Sequence, residues 1–221
     1  MDSGSEYVYT VNIWSHTLEL HTQPNLFSPR GPDAGTLAML EKVQLQPDDR
    51  VLDLGCGYGL VGLAVAARLG PQAVVLLDND PLAVQAARRN AAANRLGELL
   101  IAAGDGPAAV WPRTFSLILC NPPYHTDFSV ARRLLEQSFA QLDAGGRLYL
   151  VVKRLDWYRN KLSSLFGGVT VMPVNSYFVL LAVKRDRQVA PEPAVTTRKH
   201  AQRQERATLK KRRRPRKKGE A

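Results

Sequence analysis

Residues 121–124, Asn-Pro-Pro-Tyr, form the most chemically pointed stretch of the chain. Two prolines fix the backbone and remove two N–H donors, so this turn offers carbonyl acceptors. The Asn121 side-chain oxygen adds another acceptor, and Tyr124 adds a π face. Such a turn suits an amine attached to a planar, delocalised system. That nitrogen is a poor nucleophile because its lone pair is shared with the ring. Acceptors on its two hydrogens, the Asn121 amide oxygen and the Pro122 carbonyl, draw it toward tetrahedral geometry. They also stabilise the positive charge that develops as nitrogen attacks an electrophilic carbon. In-line positioning supplies much of the remaining rate, and no dedicated base is required. A rigid loop without chemistry would also accommodate Pro-Pro and an aromatic, so the context of the turn has to decide.

A second cluster supplies that context. Val51-Leu52-Asp53-Leu54 reads as a buried strand and runs into Gly55-Cys56-Gly57-Tyr58-Gly59. Glycines let a backbone turn sharply and approach a ligand closely. A dinucleotide site would need Gly-x-Gly-x-x-Gly, but position 60 is Leu, and Asp53 would sit close to a pyrophosphate. Asp53 suits a cationic or amine-bearing ligand instead. Asp78 ends the next strand, where a carboxylate can accept hydrogen bonds from ribose hydroxyls. Asp105 follows a third strand in Ala103-Gly104-Asp105-Gly106. Cys56 and Cys120 flank these loops and read as small buried residues rather than a redox pair.

These residues need a scaffold of alternating strands and helices. Residues 7–20 alternate apolar and polar, as in a hairpin. A Pro- and Gly-containing loop, 23–32, leads to a short helix over 33–43. Strands are predicted at 51–54, 73–77, 99–102, 115–119 and 147–152. Helices are predicted from the glycine loop to Leu69, from Pro81 to about Arg95, over 130–142 (ending near Gly145-Gly146) and over 155–166. The last strands, 169–172 and 177–183, are joined too tightly to be parallel. The pattern predicts an α/β, Rossmann-like, doubly wound, mainly parallel seven-stranded sheet with a C-terminal antiparallel hairpin. It divides the chain into an N-terminal extension (1–32), a catalytic domain (33–185) and a basic tail (186–221) predicted to be disordered.

Charge sharpens the picture. The net charge is +10, and residues 187–221 hold 13 Lys+Arg against three Glu. The remaining 17 Lys+Arg and 17 Asp+Glu leave the rest neutral. A neutral globule with a cationic tail predicts a polyanionic partner. Two cysteines and no signal-like start predict a reducing, cytoplasmic location. No run of about 18 apolar residues predicts a membrane span, and the four histidines show no ligand spacing, so no metal is expected.

The glycine loop with Asp78 and Asp105 resembles the cofactor motifs of class I methyltransferases over about residues 45–185. The resemblance implies S-adenosylmethionine as cofactor. Its methionine part would lie on Asp53, Gly55, Cys56, Gly57 and Gly59. The ribose would fall to Asp78 with Asn79, and the adenine to Asp105 with Gly106. The turn at Asn121 is similar to the NPPY motif of N-directed methyltransferases acting on adenine, guanine or glutamine amide nitrogen. His125 extends it, although no role for His125 follows from the residues. Leu26-Phe27-Ser28, Asp33-Ala34-Gly35-Thr36 and the stretch from Leu155 to Val183 complete a resemblance to the "methyltransferase small" family. Its members are ribosomal RNA guanine-N2 methyltransferases of the RsmC/RlmG type. It spans nearly all of residues 17–185.

In that family Asp33 and Thr36 would close the cofactor site, and Asn121, Pro122 and Tyr124 would hold and activate the base. The best-known members carry a second, degenerate domain that grips RNA. Here Lys210, Lys211, Arg212, Arg213, Arg214, Arg216, Lys217 and Lys218 are the candidates for that task. Three rivals stand beside the RNA guanine-N2 reading: a protein glutamine-N5 methyltransferase, a nucleic-acid adenine-N6 methyltransferase, and an RNA-binding assembly factor without turnover. The basic tail weighs against the first, and the intact acidic set weighs against the last.

Truncation after Lys184 tests the tail. The shortened protein is expected to keep cofactor binding, because the tail supplies no core residues. RNA affinity should drop, and the slope of log affinity against log salt should flatten by roughly 0.7–0.9 for each phosphate no longer neutralised. Equal slopes with and without the tail would assign it another task.

Overall fold

In the computed structural model, residues 6–110, 113–122 and 128–185 are described, and the statements below concern these residues. The interior strand β3 (Val51–Leu54) is buried along its whole length. A strand apolar on both faces needs cover on both, which is the setting of a parallel sheet between helical layers. β4 (Val74–Asp78) and β5 (Leu100–Ala103) line up parallel on one side of it. β6 (Phe115–Cys120) and β7 (Leu142–Val152) line up parallel on the other. β8 (Thr170–Val174) and β9 (Tyr177–Val183) close that edge antiparallel, giving the order β5-β4-β3-β6-β7-β9-β8. The chain leaves β3 to one side and returns at β6 to the other. A crevice therefore opens at the carboxyl ends of these two strands.

Adjacent residues on the strands feed two separate cores, as a period of two requires. Val51, Leu76, Leu117 and Val151 face α1 (Ala34–Lys42), α2 (Leu60–Leu69) and α3 (Pro81–Ala93). Leu52, Leu77, Ile118 and Val152 face α4 (Phe128–Gln141) and α5 (Leu155–Phe166). Gly62 lets α2 ride close on β4, since a Cβ there would meet the Leu76 side chain at 2.5 Å.

An antiparallel hairpin, β1 (Tyr7–Ile13) and β2 (His16–Thr22), packs on the first of these layers. Its turn residues Trp14 and Ser15 both have positive φ, 46° and 74°, the twist that tight hairpins need. Leu18 and Leu20 are buried in the same core as α2 and α3. Asn94, at the end of α3, accepts from the Glu19 N–H (2.9 Å) and donates to the Glu19 carbonyl (2.7 Å). Asn90, one turn earlier and fully buried, treats His21 the same way (2.8 and 3.1 Å). Two side-chain amides thus serve the edge of β2 as a neighbouring strand would.

One predicted boundary shifts. β7 begins at Leu142, directly after α4, and Gly145-Gly146 lie inside it rather than at a helix end. The pairing jumps from Phe115↔Leu142 to Leu117↔Arg147. The extra residues are held from the other side, where the Gly145 N–H donates to the Lys184 carbonyl (2.7 Å) and the Lys184 N–H to the Gly146 carbonyl (2.8 Å). Among the described residues no helix is long and apolar enough to cross a membrane.

At the amino ends of the strands, Asp49 ties the layers together. Its side chain is 1% exposed and accepts from Arg147 (2.6 and 2.7 Å), the Ser116 hydroxyl (2.7 Å) and the Gln46 N–H (2.7 Å). Burial raises the carboxyl pKa, but these donors, led by the Gln46 N–H, outweigh it and hold the group below its ordinary range. Its contribution is therefore present above the usual carboxylate range and is lost as pH falls through the folded value. Asp49→Ala leaves the guanidinium of Arg147 with the Gln44 carbonyl (2.6 Å) but no counter-charge there, and should cost about 3 kcal/mol in urea unfolding at neutral pH. A loss below about 1 kcal/mol would show that the pair is dispensable.

Candidate active site

The site is built from loops at the carboxyl ends of β3, β4 and β6. The glycine loop turns through positive φ at Gly55, Gly57 and Gly59 (72°, 55° and 97°), a region that side chains rarely enter. Three consecutive N–H groups hang this loop from the end of β4. Those of Gly55 and Cys56 donate to the Leu77 carbonyl (2.8 and 3.1 Å). That of Gly57 donates to Asp78 Oδ2 (2.8 Å), while Asp78 Oδ1 accepts from the Asp80 N–H (3.0 Å). The Asp78 carboxylate is thus fixed in place and still has lone pairs to offer on both oxygens.

Asp53 lies behind the loop, 3% exposed, and accepts from the Gly62 N–H in the first turn of α2 (2.8 Å). Burial raises its pKa to about 7; the Gly62 N–H opposes that shift and the charge of Asp78 adds to it. Burial, then the charges of Asp53 and Asp78, push the Cys56 and Cys120 thiols upward. Both cysteines stay protonated and act as small packing residues.

A cavity of about 310 Å³ opens between these loops, within the range of small-molecule sites. Of the residues singled out in the sequence, Asp53, Gly55, Cys56, Gly57, Asp78 and Asn79 line one wall, and Asp105, Gly106, Thr36, Asn121 and Pro122 line the rest. Asp105 is exposed and ion-paired with Arg133 (2.6 Å). Two residues singled out for the cofactor lie off the lining. Gly59 is the N-cap of α2 and packs toward Ala87 of α3, where a Cβ would sit 3.3 Å from the Ala87 Cβ. Asp33 is the N-cap of α1, accepts from the Thr36 N–H (2.9 Å), and reaches the cavity through Asn121.

Asn121 donates its amide hydrogens to Asp33 Oδ2 (3.0 Å) and Thr36 Oγ1 (2.9 Å). A carboxylate only accepts, so the atom facing Asp33 has to be the amide nitrogen. This pair sets the amide with its oxygen directed away from α1. Pro122 beside it is buried. Pro123, Tyr124 and His125 lie outside the described residues, as do Lys210, Lys211, Arg212, Arg213, Arg214, Arg216, Lys217 and Lys218. Among the described residues no group of three or more His, Cys, Asp or Glu could hold a metal ion.

Sequence reasoning missed the supports contributed by the hairpin. Asn90 donates to the Tyr58 carbonyl of the glycine loop (2.8 Å) as well as to His21. The Tyr9 hydroxyl donates to the Tyr58 hydroxyl (2.9 Å). Phe27, half-exposed, lines the mouth of the cavity. Its loop is held by a hydrogen bond from the Thr22 hydroxyl to the Pro29 carbonyl and by one from Ser28 to the Gly31 carbonyl (2.8 Å). The one sequence signal was an asparagine at position 90, on the apolar face of a helix.

The burial of Asp53 predicts a pH effect. A carboxyl that titrates near 7 when folded, against 3.8 ordinarily, binds the extra proton in the folded state. Its burial therefore costs little at about pH 4, and the cost grows as pH rises toward 7. Asp53→Asn keeps an acceptor for Gly62 and removes the charge. Its stability relative to wild type, from urea unfolding, should rise between about pH 4 and pH 8 by on the order of a few kcal/mol. A difference independent of pH would place the ionisation of Asp53 in the ordinary range.

Comparison with known proteins fits this arrangement. The methyltransferase small domain family matches residues 17–182. "Ribosomal RNA large subunit methyltransferase G" of Ectopseudomonas mendocina (strain ymp) is 41% identical over 189 residues, covering 82% of this chain and 50% of that protein. The protein of the same name from Pseudomonas putida (strain W619) is 37% identical over 192 residues, with 83% and 50% covered. This chain spans about half the length of these curated relatives. The Thermus thermophilus 16S rRNA N2 G1207 methyltransferase (RsmC), solved with AdoMet and guanosine, superposes with a TM-score of 0.71 and 30% identity over 80% of this chain and 50% of its own. With three quarters of its length matched, a span that takes in the glycine loop and the Asn-Pro turn, the chain belongs to the methyltransferase small domain family.

Proposed function

We propose that this protein transfers a methyl group from S-adenosylmethionine to the exocyclic N2 of a guanine in ribosomal RNA. The orientation of the Asn121 amide carries the reading. With its hydrogens committed to Asp33 and Thr36, the amide presents an acceptor, which is what an attacking NH₂ group requires. The similarity to relatives named for ribosomal RNA methylation, and to a structure that binds guanosine, supports the choice of base.

The lining fits the cofactor chemically. Asp78 offers a fixed carboxylate to vicinal hydroxyls, Asp53 a buried carboxylate to an ammonium group, and Asp105 an acceptor to an adenine amine. When bound, S-adenosylmethionine supplies an electrophilic methyl group on a sulfonium. Asp53 would be drawn toward its ionised form by the ammonium, because an opposite charge favours the carboxylate. The Asn121 amide oxygen and the Pro122 carbonyl accept hydrogen bonds from the two N–H groups of the amine and stabilise the positive charge that develops on nitrogen, which then releases one proton to solvent. Tyr124 packs on the face of the base, which must leave its stack to enter; extrusion costs a few kcal/mol and is least costly in unpaired RNA. Lys210, Lys211, Arg212, Arg213, Arg214, Arg216, Lys217 and Lys218 hold phosphates, and the site of action is the cytoplasm, with ribosomal RNA as the partner.

The test is transfer of tritiated methyl from labelled S-adenosylmethionine to ribosomal RNA, followed by nucleoside chromatography. Label is expected in N2-methylguanosine, with little transfer to a perfect duplex. Asn121→Ala should lower turnover by about 10²-fold or more, as for loss of a transition-state hydrogen-bond partner, while cofactor affinity stays near wild type. Label in N6-methyladenosine or in protein glutamine would overturn the choice of substrate.

A further inference from the structure

Beside the cavity, α4 begins with a large aromatic side chain turned outward. Phe128 is 44% exposed. Its ring stacks on Trp157 of α5, with centroids 4.7 Å apart and planes 30° from parallel. Trp157 in turn meets Tyr158 edge-on (4.9 Å, 89°), and Tyr158 is buried in the core. A core residue thus backs Trp157, and Trp157 backs Phe128. The outer ring is held firmly and yet offers much of its surface to solvent.

Cations frame this pair. Arg132 lies one turn along α4 from Phe128, on the same side of the helix. Arg154 is the N-cap of α5, three residues before Trp157. Both are exposed, and neither has an ion-pair partner among the described residues. Lys153, also exposed, follows β7, its ammonium 5.1 Å from the centre of the Tyr177 ring. The described acids of these helices are already paired: Asp156 with Arg159 (3.2 Å) and Glu136 with Lys161. Among the described residues the surface is therefore net cationic around an aromatic centre.

Its place in the fold matters as much as its composition. β6 and β7 run parallel, with Cys120 opposite Leu150. Asn121 and Pro122 accordingly leave the sheet alongside Val151 and Val152, and Lys153 and Arg154 come next on the neighbouring strand. Trp157 and its cations thus follow the carboxyl end of β7, next to the carboxyl end of β6 from which the Asn121 turn leaves. An exposed ring beside guanidinium groups that pair with no described acid suits a polyanion that also offers π faces. Single-stranded RNA has both, whereas a duplex hides its base faces.

We infer that Phe128, backed by Trp157, is a stacking platform for an unpaired base flanking the target nucleotide, with Arg132 and Arg154 on the adjoining phosphates. The inference rests on RNA as the substrate and adds a second base contact outside the cavity. Base–aromatic stacking is sequence-tolerant, so the platform would position the strand without choosing its sequence.

The experiment measures binding of the full chain to a short single-stranded RNA containing one guanine flanked on both sides by 2-aminopurine. Fluorescence quenching reports stacking, and anisotropy reports affinity. Phe128→Ala is expected to raise the Kd about 5- to 100-fold and to abolish the quench. Phe128→Trp should restore both. Arg132→Ala and Arg154→Ala should keep the quench, and each should flatten the log–log salt slope by about 0.7. Melting temperature and S-adenosylmethionine affinity should match wild type in every variant. Phe128→Ala binding within about twofold of wild type with an undiminished quench overturns the platform. The readout needs no turnover. These responses in a protein that methylates no RNA would uphold the platform and overturn the substrate reading. Methyl transfer to RNA alongside a silent Phe128→Ala would do the reverse.

Discussion

Three consecutive N–H groups, those of Gly55, Cys56 and Gly57, hang the loop after β3 from the carboxyl end of β4. The rest of the site depends on this attachment. It requires glycine at 55 and 57, where φ is positive, and a carboxylate at 78 to receive the third donor. It also fixes that carboxylate at the cavity wall, so the group that anchors the loop is the one available to a ligand. Asp53 completes the arrangement from behind by accepting from α2. Two carboxylates in a partly buried space repel each other, and the raised pKa of Asp53 records burial first and that repulsion after it. Such a cavity is electrostatically prepared for a cation.

The opposite wall follows a similar logic. Asp33 caps α1 and orients Asn121 with the same carboxylate oxygen, so the start of a helix and the polarity of the amide are set together. The hairpin acts at one further remove. Asn90 and Tyr9 link it to Tyr58 in the glycine loop. A segment read from sequence as an extension thereby supports the cofactor side of the cavity. Residues 17–182, matched by the family, take in β2 and not β1. β2 bonds to α3, and α3 bonds to the loop.

Much of this was legible in the sequence because the signals were local. Buried strands announced themselves as apolar runs, and Pro81 marked a helix start. The short link between the last two strands fixed their antiparallel pairing. Asp78 and Asp105 were placed by the strands that they end and follow. What escaped depended on contacts between distant segments. The bonds of Asn90 join positions separated by 32 and 69 residues, and a polar residue on an apolar helix face signals that it has partners without naming them. The alternation over 7–20 showed a hairpin, but its turn uses Trp14-Ser15 instead of the usual Asn-Gly, so the position of the turn carried no signal. The start of β7 at Leu142 depends on Lys184, at the far end of the domain. Gly59 was read with its neighbours as a ligand contact. It also lies where α2 approaches α3 closely, a contact that its spacing does not reveal.

In the proposed reaction the Asn121 turn and the acidic cavity act together on guanine N2 of ribosomal RNA. The most direct measurement is quantitative mass spectrometry of ribosomal RNA nucleosides from cells lacking the gene, with wild type or Asn121→Ala supplied in trans. The expected result is a deficit of N2-methylguanosine that wild type restores and Asn121→Ala does not. Unchanged N2-methylguanosine in the deletion, or a deficit confined to N6-methyladenosine, would contradict that assignment.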